Sequence, residues 1–83
     1  MTYNNPTPSQ STTLTASERS REARRLLEML REEDKNNNAI QGRLTNNALG
    51  FVQARWLEMD LGGQINVTEN QLLFLRDIWA KFA

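Results

Sequence analysis

The chain has 83 residues, ten Lys plus Arg against ten Asp plus Glu, and neither cysteine nor histidine. A domain of this size buries only about 60 % of its unfolded surface, and without thiols it has no disulfide staple or thiolate metal site. The missing histidine removes the commonest general base and zinc ligand, and a net charge of zero leaves the broad electrostatic case for nucleic acid unmade.

Residues 1–14 are rich in Thr, Ser, Asn, Pro and Gln and carry no charge. They have little to bury, so ordering them would cost backbone entropy without return. The expectation is a disordered tail ahead of a helical domain over 15–83. Tyr3 is its one side chain suited to docking.

A first helix is expected over about 16–35. Thr15 and Glu18 stand at capping-box spacing, and Ala23, Leu26, Leu27 and Leu30 follow as an apolar stripe. Glu18 with Arg21, Glu22 with Arg25 and Glu28 with Arg31 are three apart, each pair worth a few tenths of a kcal/mol. The charge order is unusual. Arg19, Arg21, Arg24 and Arg25 come early, while Glu28, Glu32, Glu33 and Asp34 come late, which opposes the helix macrodipole. Two readings stay open: a solvated face, or an arginine patch for a carboxylate- or phosphate-bearing partner.

Residues 35–42 read as a loop, because three consecutive asparagines and Gly42 favour turns, with Ala39 and Ile40 as an anchor. A second helix is expected over about 46–61. Thr45 is its N-cap, and Leu44 and Leu49 stand at the spacing of a hydrophobic staple. Leu49, Val52, Trp56 and Met59 line one face, widened by Ala48 and Phe51. Gly62-Gly63 should end it. Gly50 lies inside, either for close approach of another helix or as a tolerated position.

A third helix is expected over about 69–82. Thr68 to Gln71 is a second capping box, and Val67 can staple to Leu72. Leu72, Leu75, Ile78, Trp79 and Phe82 make the apolar face. Ile65 to Val67 is a short extended entry, too isolated to pair as a sheet. The second and third helices are internally repeated: Thr45 and Thr68, Asn47 and Asn70, Leu49 and Leu72, Phe51 and Phe74, Trp56 and Trp79 are each 23 apart. A short connection predicts an antiparallel hairpin.

Leu44-Thr45 with Phe51, then Val67-Thr68-Glu69-Asn70-Gln71 with Leu75 and Ile78, resembles a helical-hairpin module recurrent in small phage and mobile-element proteins. The resemblance spans about half the chain. An aromatic-acidic pair found early in that module is absent, because Asn47-Ala48 stands there. It implies an accessory role, as adaptor or inhibitor, and no catalytic residues.

Nucleophilic catalysis needs an activated nucleophile beside a base, and no histidine is present to activate the serines. Glu32, Glu33 and Asp34 point in different directions on a helix and cannot form one metal cage. No glycine-rich phosphate loop occurs. The chain therefore reads as a non-enzyme without cofactor or metal. Its fold class is all-α, a small three-helix protein ending in an antiparallel αα-hairpin.

Protein association suits the residues better. Aromatics and arginine dominate binding hot spots, although such rings in a small bundle usually form its core. Phe74 lies off the main face, so it should meet the first helix or be left for a partner or second subunit. The expected function is non-catalytic binding to another protein, as a phage-type adaptor or an inhibitor of a larger host complex. The candidate contact residues are Arg21, Arg24, Arg25, Phe74 and Arg55. The competing classes are a DNA- or RNA-binding regulator using the first-helix arginines and Arg55, and a self-associating structural protein, with a homodimer as its partner state. No apolar run is long enough to span a membrane, and no signal-peptide pattern opens the chain, so the expected location is cytoplasmic, in the host if phage-encoded.

Overall fold

The computed structural model describes residues 14–37 and 40–82. Of the expected tail over 1–14, residues 1–13 with Tyr3 lie outside the described residues, as does the anchor Ala39, while Leu14 is described and packs half-buried against the core. Four helices follow in order, with no strand among the described residues: α1 Ala16–Asn37, α2 Ile40–Arg43, α3 Asn46–Asp60 and α4 Glu69–Ala80. The protein is all-α, and no described helix is long and apolar enough to cross a membrane.

Each long helix starts where local side-chain chemistry dictates. The Thr15 N–H donates to Glu18 Oε1 at 2.9 Å, and the Glu18 N–H returns to Thr15 Oγ1 at 3.1 Å. The same reciprocal box closes between Thr68 and Gln71. Thr45 makes only one arm, accepting from the Ala48 N–H at 3.2 Å, because Ala48 has nothing to return.

The stop of α3 is equally local. Gly62 adopts φ 80°, its N–H donates to the Met59 carbonyl, and the Gly63 N–H donates to the Glu58 carbonyl. That pair of bonds is a Schellman motif, which satisfies carbonyls the helix end would otherwise orphan.

Two expectations at the end of α1 fail. The asparagines do not stop the helix at 35; it continues to Asn37, with Lys35 in the last turn, where a cation complements the helix's negative end. Nor is Gly42 in an irregular loop. It lies in the one-turn α2, held because Ile40 is fully buried against the core, a burial worth about 1.5–3 kcal/mol. Such tertiary burial outweighs the roughly 1 kcal/mol that glycine costs a helix.

The first helix is the centre of the fold. Ala23, Leu27 and Leu30 are fully buried, and α4, α2 and α3 all pack against α1. The hairpin is nevertheless antiparallel. Arg43, just before α3, lies over Phe82, while Phe51 touches Phe74, so eight residues forward on one side match eight backward on the other.

The segment joining α3 to α4 is threaded along α1. Arg24 Nη2 donates to the Gly63 carbonyl, Ser20 Oγ to the Ile65 carbonyl, and Arg19 Nε to the Val67 carbonyl. In extended chain, alternate carbonyls face the same way, so residues 63, 65 and 67 present their oxygens to one helix flank. Ile65 and Val67 are buried beneath.

Two bidentate ion pairs complete the clamp. Arg31 holds Asp60 at 2.8 and 2.9 Å, and Arg76 holds Glu22 at 2.6 and 2.8 Å. These replace two of the three three-apart pairs expected within α1. Glu22 turns to Arg76 rather than Arg25, and Arg31 to Asp60 rather than Glu28.

The sequence repeat does not become a structural repeat. Ala48, Val52 and Trp56 are the buried set of α3, four residues apart, whereas Leu72, Leu75 and Ile78 serve α4, three apart. Only Val52 and Leu75 correspond. Trp56 is buried, and its Nε1–H donates to the Leu27 carbonyl at 2.9 Å. Trp79 is half-buried and stacks on Phe82 instead.

Candidate partner-binding surface

The helical period separates the three expected arginines of α1. Arg24 and Arg25 are adjacent in sequence and thus about 100° apart around the axis. Arg24 faces the linker and is occupied by the Gly63 carbonyl at 3.3 Å. Arg21 and Arg25 are one turn apart on a shared stripe, and both are exposed.

Beside that stripe runs a shallow groove. Leu14, Leu26 and Met29 supply its apolar part, and Glu18, Arg21, Glu22 and Arg25 its charged part. The carboxylates are already engaged. Hydrogen bonds from the Thr15 main chain, then from its hydroxyl, hold the Glu18 carboxyl below its ordinary pKa. The Arg76 guanidinium does the same for Glu22 by its hydrogen bonds, and Arg76 is raised in return.

The arginines are differently placed. Arg21 exerts only a through-space pull on Glu18, and Arg25 has no hydrogen-bond or ion-pair partner among the described residues. Counting Arg76, the groove carries one more positive than negative charge. Two guanidinium groups about 6 Å apart along one helix suit two carboxylates spaced alike.

Arg55 and Phe74 fall elsewhere, and Phe51 joins them. The Arg55 guanidinium lies 5.3 Å from the Phe51 ring centroid and pairs with Glu58 at 2.7 Å. Phe51 and Phe74 meet at 5.5 Å between centroids. Phe74 therefore contacts α3 instead of the first helix, and it keeps 38 % exposure. The reason is angular: Phe74 stands on the α3-facing flank of α4, while Arg76 takes the α1-facing flank.

Sequence reasoning passed over the groove's apolar members, Leu14 and Met29. Their signal was weak, since neither belongs to the regular stripe of Ala23, Leu27 and Leu30. Among the described residues, no group of three or more His, Cys, Asp or Glu is placed to hold a metal ion. Compared with known proteins, the chain matches no family model, no curated protein and no solved structure.

Proposed function

We propose that this protein is a small non-catalytic module that binds another protein through the outer face of α1, acting as an adaptor or inhibitor. The observation that carries this reading is the pair Arg21 and Arg25, exposed one turn apart beside the apolar groove of Leu26 and Met29. Exposed guanidinium groups next to the half-buried Leu14 and Met29 combine the ingredients of a binding hot spot. Methionine adds adaptability, because its unbranched thioether packs against varied shapes. Nucleic acid suits the face less well, since Glu18 and Glu22 share it and would repel phosphates.

The test is site-specific photo-cross-linking in the native host, with the reactive group at Met29 and a control at Asp77, which is exposed on α4. The expected result is a discrete protein adduct from position 29 that disappears when Arg21→Glu and Arg25→Glu are added. Equal adducts from both positions, or adducts indifferent to charge reversal, would overturn the reading. Retention of generic duplex DNA at low salt, lost in the same double variant, would replace it with nucleic-acid binding.

A further inference from the structure

We infer that the outer face of α1 pairs with the same face of a second copy of this chain, antiparallel across a two-fold axis. This rests on α1's outer face being the contact surface and names one partner for it. Six exposed charges occupy that face: Glu18, Arg21, Arg25, Glu28, Glu32 and Lys35. At 100° per residue they fall within one stripe, opposite fully buried Ala23 and Leu30.

Their order along the helix is negative, positive, positive, negative, negative, positive. Turned end for end, that order becomes its own complement. Arg25 meets Glu28 of the partner subunit, Arg21 meets Glu32 of the partner subunit, and Glu18 meets Lys35 of the partner subunit. One register serves all three, because 25 and 28, 21 and 32, and 18 and 35 share the midpoint 26.5. An isologous two-fold contact repeats every pair, so the three become six.

Tertiary packing prepares this face. Arg25's three-apart neighbour toward the helix start, Glu22, is held by Arg76. Glu28's three-apart neighbour toward the helix end, Arg31, is held by Asp60. Arg25 and Glu28, nearest the axis, are left exposed and without an ion-pair partner among the described residues. A net charge of zero adds no overall repulsion between two copies. The arrangement also gives a use to a charge order that opposes the helix dipole.

A single helix pair is smaller than the standard interface of about 1,600 Å², and its contacts are screened by salt. The dimer is therefore weak and salt-labile. Sedimentation equilibrium of the full chain, over a concentration series at low and high salt, tests it. The expected mass rises from 9.6 kDa toward twice that at low salt and falls back at high salt. Arg21→Glu with Arg25→Glu should abolish the rise, as should Glu28→Arg with Glu32→Arg, and a one-to-one mixture of the two variants should restore it as a heterodimer. All four side chains are exposed, so far-UV circular dichroism should show both variants folded; were one to unfold, the wild-type salt series decides alone. A constant 9.6 kDa mass at every concentration overturns the pairing while leaving binding to a different protein intact. So does a salt-insensitive dimer, or a mixture of folded variants that stays monomeric.

Discussion

The indole N–H of Trp56 donates to the main-chain carbonyl of Leu27 at 2.9 Å, tying the middle of α3 to the middle of α1. Arg31, one turn along α1, lies 5.3 Å from the same ring's centroid and grips Asp60 one turn along α3. The repeat partner Trp79 has no such anchor among the described residues; it is half-buried and stacks on Phe82.

The two tryptophans should accordingly respond unequally to truncation. Trp56→Ala is expected to cost about 3–5 kcal/mol, as full loss of a buried aromatic does. Trp79→Ala should cost clearly less. Urea titrations followed by circular dichroism would compare them, and equal losses would mean that burial does not distinguish the repeats.

Gly50 and Gly62 make opposite predictions. A Cβ built at Gly50 meets nothing within 4 Å, so no neighbouring helix needs the space. Gly50→Ala should stabilise the protein by about 0.5–1 kcal/mol. At Gly62, φ is 80°, and Ala there should destabilise by about 1–2 kcal/mol. Thermal melts of the two variants should move in opposite directions.

The Glu22–Arg76 pair predicts an acid dependence. Its hydrogen bonds lower the Glu22 pKa below 4.5 in the folded state. The stabilisation is therefore complete above the unfolded value and is lost as pH falls through the depressed folded value. Both side chains are about a third exposed, so solvent limits the pair to roughly 0.5–1 kcal/mol. Glu22→Gln should be less stable than wild type by that amount at neutral pH. The difference should close in strong acid. A gap independent of pH would assign the effect to packing.

Removing linker contacts should differ sharply from removing surface charge. Ser20→Ala strips the Ile65 carbonyl of a buried hydrogen bond, at about 1–2 kcal/mol. Arg21→Ala, on the exposed stripe, should change stability by less than about 0.5 kcal/mol. Hydrogen exchange at residues 63–67 would report the first as faster local opening.

Helix starts and the main stop were legible in the chain because their causes are local. Thr15, Thr45 and Thr68 cap over three residues, and Gly62 supplies a positive φ that a residue with a Cβ cannot adopt cheaply. The apolar stripe of α1 was legible for the same reason, as periodicity. Partner choice was not. Glu22 could pair with Arg25 at 3 residues or Arg76 at 54, and sequence favours the nearer. Only the assembled bundle brings Arg76 into bidentate reach, and a two-pronged contact between helices outcompetes an exposed pair along one. That exchange left Arg25 and Glu28 facing solvent without the helical neighbours Glu22 and Arg31 as partners. Charge order was thus written in the sequence, while tertiary packing decided which charges remained available for binding.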